Sequence, residues 1–516
     1  MELQALVNAS RKVAATRSRL EKRATLGECL RRAGAAEVAL AVAYLAGTLP
    51  QGRIGLGPAM LRQLAQTEPA AAASLSLAET DRAFAEIASL HGSGSQAARR
   101  ERLRALFARA TAMERDFLIR LILGELRQGA LEGLLVEAIA EAAKLPASDV
   151  RRAVMLAGQP GSVAEAALRD GAAGLARFRL EPLQPIQPML AAPAEDIGDA
   201  MATLKEAALE YKLDGARVQI HRVGPDVRIF SRGLNDVTAS LPEVVSTVRA
   251  LPSSSVILDG EVLALDDGGR PLPFQVTMRR FGRKTRVDAL RESLPLSVFL
   301  FDCLHVDGED LIDVPARERH AHLVTATGST GLVPRLETAD PAAARDFLAE
   351  ALRLGHEGVM AKALTATYAA GSRGADWLKV KQSHRLDLVV LAAEWGSGRR
   401  KGWLSNLHLG ARNPSDGGYV MLGKTFKGLT DALLDWQTRR LLALEVGREG
   451  NVVHVRPELV VEIAVNEIQR SAKYPGGMAL RFARVKRFRP DKSAVEADTI
   501  DTVRSIFDRQ AGSAPG

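Results

Sequence analysis

Apolar residues recur every three or four positions over the first part of the chain, up to about residue 180, and runs of β-branched residues are scarce there. This spacing is typical of amphipathic helices, and residues 28–45, 97–112 and 115–128 show it well. Arginines fall on the polar faces of these segments, as they do on ordinary solvated helices. The pattern predicts an all-α domain over residues 1–182.

A proline-rich connector with four prolines between residues 182 and 193 ends the helical pattern. Beyond it, residues 210–223, 255–265 and 296–304 form short alternating or apolar runs that are typical of strands. Helical spacing also occurs in this part of the chain, for example over residues 342–354. The mixture predicts an α+β domain over residues 183–385.

The last part of the chain is mostly strand-like, with one helical stretch over residues 430–446. The predicted strands cover residues 387–395, 405–411, 418–425, 452–455 and 459–465. Five short strands with one helix suit a small barrel such as an OB-fold β-barrel, which we place at residues 386–505. Residues 506–516 are predicted to form a flexible tail.

Composition agrees with this multidomain division, since 516 residues are enough for about three domains. The net charge of +8 is compatible with a polyanionic partner but does not establish one. The two cysteines lie far apart and form no CxxC pair, so neither a zinc site nor a disulfide is indicated. No apolar run approaches the roughly 18 residues of a membrane span. We therefore expect a cytoplasmic protein with no membrane association.

Candidate chemistry begins at Lys212, which lies between two acidic residues, Glu210 and Asp214. If this segment is a strand, alternation puts all three charged side chains on one face. A lysine between two carboxylates serves equally well as a plain salt-bridge ladder. The segment alone therefore leaves its role open.

Two further segments carry charged residues on or next to predicted strands, as the Lys212 segment does. Asp259 and Glu261 share a face of an apolar strand, and the glycine between them allows another group to approach the backbone closely. Glu357 and Lys362 fall on opposite faces by simple alternation, so a turn or bulge just after Glu357 is needed if both face one site.

A fourth strand places Lys379 and Lys381 on one face, with apolar residues behind them. Four short strands thus each combine a charged face with an apolar one. Lysines suit phosphate and carboxylates suit a metal ion, so this sheet matches a nucleoside triphosphate with Mg²⁺.

The order of these segments is more specific than any one of them. KLDGAR from Lys212, SR at residues 231–232, DGE from Asp259, VFLFDCL from Val298, EGVMAK from Glu357 and WLKVK from Trp377 follow one another. They resemble motifs I, Ia, III, IIIa, IV and V of the covalent nucleotidyltransferases. In that superfamily the lysine of KxDGxR becomes adenylylated or guanylylated.

Both ends of the chain extend the resemblance. Residues 481–492, RFARVKRFRPDK, look like motif VI of the ATP-dependent DNA ligases, although six cations in twelve residues could also form a basic edge strand. Residues 117–129 and 187–191 are similar to the helical DNA-binding domain and the linker of the same family. The chain therefore resembles the three-domain ligases of archaea, eukaryotes and some bacteria.

The resemblance implies an all-α DNA-binding domain, an adenylation domain and an OB-fold domain. It also implies ATP and Mg²⁺ as cofactors and nicked duplex DNA as the partner of a monomeric enzyme, which would be associated with the nucleoid when on DNA. DNA would be held through its phosphates without a sequence code. The resemblance names no protein partner.

Lys212 would take AMP from ATP, pass it to the 5′-phosphate of a nick, and AMP would leave when the 3′-hydroxyl attacks. The resemblance further implies that the Glu210 backbone and the Phe301 ring hold adenine, Arg217 and Arg232 hold ribose and phosphate, Glu261 contacts ribose or metal, Glu357 holds metal, and Arg373, Lys379 and Lys381 bind phosphate. Core packing is the ordinary role of a phenylalanine in such an apolar run.

Arg489, Asp491 and Lys492 would orient the leaving pyrophosphate once the barrel domain closes over the site. Within this motif Pro490 is a departure, because proline restricts the backbone and removes a donor.

Three other interpretations remain open at this stage. Residues 418–425, GYVMLGKT, fit the P-loop pattern, but their four middle residues resemble a strand and not a flexible glycine-rich turn. An RNA ligase or an mRNA capping guanylyltransferase would share the covalent lysine, and the capping enzyme would prefer GTP. A non-catalytic nucleic-acid clamp would be expected to have lost the lysine or the carboxylates, and all are present.

Overall fold

The fold is described from a computed structural model. It describes residues 1–16, 18–126, 132–281, 291–370, 374–381 and 383–511, with side chains as far as residue 508. Arg373 and the end of the helix predicted over residues 115–128 lie outside these ranges.

The helices that precede the first strand form the first domain. They are α1 (Leu3–Ala15), α2 (Arg19–Leu45), α3 (Pro58–Leu64), α4 (Leu77–Ser89), α5 (Ser95–Arg109), α6 (Ala112–Leu123), α7 (Glu132–Ala143), α8 (Ala147–Ala157) and α9 (Pro160–Leu175). Their apolar faces meet in one core that runs from Leu3 to Leu175. This confirms the predicted all-α class of the first part of the chain.

Local capping explains where the predicted helices differ from the observed ones. The segment predicted as one helix over residues 97–112 ends at Arg109, because Thr111 and Glu114 form a capping box that starts α6. Conversely, α2 begins nine residues before the predicted start at residue 28, with Ser18 as its N-cap. Its charged first turns pair with α7, as in the 2.6 Å contact between Arg19 and Glu137.

The middle domain contains two five-stranded sheets with helices around them. Its strands are β1 (Ala192–Pro193), β2 (Ala207–Tyr211), β3 (Ala216–Val223), β4 (Asp226–Ser231), β5 (Ser255–Ala264), β6 (Leu296–Val306), β7 (Glu309–Asp310), β8 (Arg335–Thr338), β9 (Gly358–Ala363) and β10 (Trp377–Lys381). One sheet has the order β1-β10-β9-β2-β8 and the other β4-β3-β5-β6-β7.

The helices of this domain include α10 (Ile197–Leu204), α11 (Pro242–Arg249), α12 (Phe274–Arg280), α13 (Ala316–Thr327) and α14 (Pro341–Arg353). Strands and helices mix along this part of the chain, which confirms the predicted α+β class. The chain passes from the first sheet to the second between Tyr211 and Ala216, so the KLDG segment joins the two sheets.

The last domain is a β-barrel built on one long strand. Its elements are β11 (His384–Trp395), β12 (Leu404–Arg412), β13 (Tyr419–Thr425), α15 (Asp431–Ala443), β14 (Glu445–Glu449), β15 (Val452–Val455), β16 (Val460–Val465), β17 (Glu467–Arg470), β18 (Met478–Arg481), β19 (Arg484–Phe488) and α16 (Ile500–Ala511). Strand β11 pairs with β16 along its first half and with β12 and β15 along its second. This arrangement agrees with the predicted OB-fold.

The end of the helix and the start of the tail in this domain differ from the prediction. The helix predicted over residues 430–446 ends at Ala443, because the chain then enters β14, which pairs with β15. Helix α16 continues past residue 505, and Ile506 is buried in the barrel core, so the folded part extends into the predicted tail. Residues 418–425 contain β13 and not a phosphate-binding turn, which excludes the P-loop interpretation.

The domains contact one another through both apolar and charged groups. Met155 of α8 packs in an apolar cluster with Met189 and Trp377 of the middle domain. Lys486 of the barrel lies 2.5 Å from Glu195 of the middle domain. In the described part of the chain, none of the helices combines the length and the apolar character needed to cross a membrane.

Candidate functional site

A cleft of about 370 Å³ opens between the two sheets of the middle domain. Seven of the site residues predicted from the sequence line it: Glu210, Lys212, Arg217, Arg232, Glu261, Phe301 and Lys379. Because these residues come from both sheets and from the segment that joins them, only the folded domain brings them together.

Lys212 lies just after β2, at the start of the segment that crosses between the sheets. Its backbone is held by Glu357 and Gly358, with Lys212 N donating to Gly358 O at 2.8 Å and Glu357 N donating to Lys212 O at 3.1 Å. The crossing is tight, since a Cβ on Gly215 would lie 2.4 Å from the carbonyl oxygen of Val262. Glycine is therefore required at this turn, and Lys212 has a defined position at the cleft.

The predicted shared face of Glu210, Lys212 and Asp214 is wrong, because the strand ends at Tyr211. Glu210 is buried and pairs with Arg335 at 2.9 Å and Lys362 at 2.5 Å. Lys212 contacts the carboxylate of Glu357 instead. The two side chains therefore belong to different ion pairs at the edge of one cleft.

The turn expected just after Glu357 is present. Gly358 has φ of +142°, and a Cβ there would lie 2.1 Å from Val380 O, so only glycine fits. Glu357 consequently lies outside β9 and accepts hydrogen bonds from Lys212 and from Lys381, the latter at 2.5 Å. Burial alone would raise the pKa of Glu357, but the two ammonium groups outweigh it and hold the pKa below its usual value.

The inner end of the cleft is aromatic and contains a buried lysine. The ammonium nitrogen of Lys362 lies 4.6 Å from the centre of the Phe301 ring and 4.4 Å from that of Trp377. It also donates to the carbonyl oxygen of Phe301 at 3.2 Å. Lys362 and Trp377 were not predicted as site residues, although both are letters of the matched motifs EGVMAK and WLKVK.

Arg217 is held rigidly at the back of the same cleft. Its guanidinium donates to Asp259 at 2.7 Å and to Met189 O at 2.6 Å, and its central carbon lies 5.4 Å from the centre of the Phe301 ring. Tyr368 donates its hydroxyl to the same Asp259 oxygen at 2.6 Å. Tyr368 lies between two motifs, and nothing in the sequence pattern distinguished it from a core residue.

Two carboxyl groups near Lys212 have raised pKa values. Burial raises the pKa of Glu261 to about 7, although Lys212 and Arg217 act in the opposite direction. Burial and the negative charge of Glu357 also raise the pKa of Asp214. Nearby positive charges therefore only partly compensate the negative charge of the two ionised carboxylates, and a bound cation would stabilise them.

The protein carboxylates near Lys212 could hold a magnesium ion only if water and a bound phosphate completed its coordination shell. In the residues that the structure describes, no three His, Cys, Asp or Glu side chains are grouped as a ready metal site. Mg²⁺ in phosphate-transfer sites typically takes one or two carboxylates and fills its shell with water and substrate phosphate. Glu261 lines the cleft, whereas Glu357 is not among its lining residues but contacts Lys212, which is, so two carboxylates are present at the cleft or next to it.

The remaining predicted residues lie outside the cleft or outside the described ranges. Lys381 is not among the lining residues, but its ammonium group donates to Glu357. Arg489, Asp491 and Lys492 are not among the residues that line the cleft. Arg489 and Lys492 pair with Asp387 of the barrel domain, and Asp491 pairs with Arg489. Arg373 lies in a segment that the structure does not describe.

Comparisons with known proteins agree with this architecture. A family model described as "ATP dependent DNA ligase domain" matches residues 188–381, one described as "ATP dependent DNA ligase C terminal region" matches residues 400–492, and one described as "DNA ligase N terminus" matches residues 61–140. The solved structure named "Pmar-Lig_PreS3" has a TM-score of 0.58 at 18% identity, over 94% of this chain and 99% of that one. At this identity the likeness concerns the fold alone.

Full-length relatives are much more similar. The chain is 61% identical to a "Probable DNA ligase" of Anaeromyxobacter sp. (strain Fw109-5), over 100% of both chains. It is 56% identical to a "Probable DNA ligase" of Mycolicibacterium gilvum (strain PYR-GCK), over 99% of this chain and 100% of the relative. With the three domains, the motif order and the lysine at the cleft, these matches show that the chain belongs to the ATP-dependent DNA ligase family.

Proposed function

We propose that this DNA ligase seals nicks with a 5′-phosphate and a 3′-hydroxyl in duplex DNA, through AMP bound covalently to Lys212 and then to the DNA. The observation that carries the proposal is the position of Lys212. It lines a cleft together with the aromatic rings of Phe301 and Trp377 and the cations Arg217 and Lys379. A purine base with its phosphates directed toward Lys212 fits this arrangement.

Three phosphoryl transfers account for the reaction. The Lys212 amine loses a proton and its contact with Glu357, and its nitrogen bonds to the α-phosphorus of ATP while the bond to pyrophosphate breaks. An oxygen of the DNA 5′-phosphate then attacks that phosphorus and releases the lysine. Finally the 3′-hydroxyl oxygen attacks the 5′-phosphorus, loses its proton, and AMP leaves.

The cleft residues divide into a base end and a phosphate end. Phe301 and the Glu210 backbone hold adenine, and Lys362 and Trp377 complete that end. Arg217 and Arg232 hold ribose and phosphate. Lys379, Lys381 and Arg373 bind the phosphates, and Arg489, Asp491 and Lys492 orient pyrophosphate when the barrel domain approaches.

Magnesium is the proposed second cofactor, held by Glu261 and Glu357 together with ATP phosphates. When bound, it neutralises charge that develops on the phosphate oxygens. The surrounding lysines and arginines position the nucleotide, and Glu357 gives up its contacts with Lys212 and Lys381 in the process.

The larger organisation follows from the same proposal. Residues 1–182 form the DNA-binding domain, residues 183–385 the adenylation domain and residues 386–511 the OB-fold domain, which includes all of α16. The enzyme acts as a monomer on nicked duplex DNA, which it grips through phosphates, and it works in the cytoplasm on the nucleoid.

The test uses AMP-free protein, Mg²⁺ and ATP labelled at the α-phosphate, followed by a denaturing gel. We expect a labelled band that forms with ATP, is absent in EDTA, and is discharged by nicked DNA with a 5′-phosphate. A nick without the 5′-phosphate is the matched control and should leave the label in place. Label from GTP, or discharge by nicked RNA alone, would contradict the proposal.

Removing the Phe301 ring should weaken ATP binding. In Phe301→Leu we expect the KM for ATP in lysine adenylylation to rise about 10- to 100-fold, because stacking a base on an aromatic ring contributes roughly 1–3 kcal/mol. Phe299→Leu is the matched control, since Phe299 lies two residues earlier on β6 and is not among the cleft-lining residues. Equal KM values for the two variants would place the base elsewhere.

A further inference from the structure

We propose that Asp387 is a positioning residue for lysine adenylylation, which holds Arg489 and Lys492 as a preformed cationic pair for the departing pyrophosphate. The inference rests on the proposed function, in which these two cations face pyrophosphate. Asp387 itself is not expected to touch the substrate. It acts through the two side chains that it orients.

Both cations converge on the same carboxylate oxygen. Arg489 Nη1 lies 2.9 Å and Lys492 Nζ lies 2.6 Å from Asp387 Oδ2. Two positive groups this close to one another repel unless an anion lies between them. Asp491 also pairs with Arg489, at 2.7 Å, but Asp387 is the carboxylate that contacts both cations and so holds them side by side.

The turn that follows β19 brings the two cations to this point. Lys492 N donates to Arg489 O at 3.1 Å, which closes a turn with Pro490 at its second position. Proline is favoured there because its fixed φ suits the turn and its missing donor is not needed. The departure noted in this motif therefore supports the geometry of the pair.

Asp387 is itself fixed from several directions. It lies on β11 opposite Glu462 of β16, and its side chain is about 10% exposed. Its backbone N donates to the Asp498 carboxylate at 2.7 Å, and Asp498 N donates to Asp387 O at 2.9 Å. These contacts fix the backbone that carries the short Asp387 side chain, whereas the side chains of Arg489 and Lys492 are long and have many rotamers.

The whole cluster belongs to the barrel domain, so it can move toward the cleft as one unit. Arg489 and Lys492 are not among the residues that line the cleft around Lys212. Donors that already have their final arrangement need no reorganisation when the pyrophosphate charge develops. Asp387 should therefore affect the rate of the first chemical step and not the later sealing step, which does not release pyrophosphate.

The experiment measures two steps separately in Asp387→Asn. We expect the single-turnover rate of lysine adenylylation at saturating ATP to fall about 10- to 100-fold, below the effect of removing a direct donor. The KM for ATP and the sealing of pre-adenylylated nicked DNA should remain as in the wild type. Asp387→Glu keeps the negative charge but moves it by one methylene, so it should disturb the fold less than Asp387→Asn does. It should slow adenylylation selectively as well, but to a smaller extent.

Asp498→Asn is the structural control, because the Asp498 carboxylate binds the Asp387 backbone, whereas the two cations pair with the Asp387 side chain. It should leave the ratio of the two rates unchanged. If Asp387→Asn and Asp387→Glu slow both steps equally, Asp387 only stabilises the barrel and the inference is overturned.

Arg489→Ala and Lys492→Ala separate this inference from the proposed function. If both slow adenylylation but Asp387→Asn does not, the inference fails and the proposed role of the two cations stands. If neither slows adenylylation, the proposed role itself fails.

Discussion

Lys212→Ala should form no adenylylated protein, with a loss of at least about 10³-fold in the rate of label incorporation, the scale expected when a catalytic nucleophile is removed. The amine nitrogen is the atom that bonds to the α-phosphorus, and alanine offers no replacement. The measurement is the same gel assay with ATP labelled at the α-phosphate, at saturating ATP and Mg²⁺.

The sealing of pre-adenylylated nicked DNA distinguishes lost chemistry from lost folding in this variant. That reaction bypasses the lysine, so Lys212→Ala should retain it to a measurable extent. A variant that loses both reactions would have lost its fold or its DNA binding, and the assignment of Lys212 as the nucleophile would then lack support.

Lys424→Ala is the matched control for the lysine. Lys424 is the lysine of the P-loop-like sequence, but it lies on β13 and pairs with Glu394 on the barrel. It should form the labelled band at close to the wild-type rate. Loss of label in Lys424→Ala with retention in Lys212→Ala would reverse the assignment of the nucleotide site.

Arg319→Ala should be the most destabilising of these substitutions. The Arg319 side chain is fully buried and donates to Asp302 at 2.8 and 2.9 Å, and to the carbonyl oxygens of Val314 and Ala366. Removing one partner of a buried pair leaves an uncompensated charge, which costs about 3–5 kcal/mol. We expect the unfolding free energy of the adenylation domain to fall by about this amount.

The pKa of Asp302 gives the physical reason. Burial alone would raise this pKa, and the guanidinium of Arg319 more than offsets it, so the carboxyl is held below its usual value. Without Arg319 only the effect of burial and weaker neighbours remains, and the domain must either bury a charge or take up a proton.

Arg317→Ala is the matched control, two residues earlier on the same helix. Arg317 is 52% exposed and pairs with Glu206 and Glu337 at the surface. Screened surface pairs contribute little, so its loss should change stability far less. Calorimetry of both variants would test this, with each domain transition assigned separately. Similar losses for the two would contradict the buried-pair argument.

Local periodicity was enough to predict the classes of the three domains. The strand over residues 452–455 agrees in full, and β12, β13 and α14 differ from the prediction by no more than one residue at either end. Such patterns depend on which residues face the core, and that information is present in short segments of sequence.

Local patterns failed where a contact or a turn decided the outcome. Alternation placed Glu210 and Lys212 on one strand face, but the strand ends at Tyr211 and the chain crosses to the second sheet, where Gly215 lies tightly against Val262. The same kind of contact places Glu357 beside Lys212 through the turn at Gly358. Steric limits between distant segments cannot be read from spacing.

The sequence by itself therefore determined the order of the motifs and the family and predicted the central lysine, because these depend on residue types at short range. Only the tertiary structure decided which charges pair. Lys362 meets Glu210, Tyr368 meets Asp259, and Arg489 and Lys492 meet Asp387, each across at least a hundred residues. The reason is physical, since a buried charge takes whichever opposite charge the packing of separate segments brings within reach.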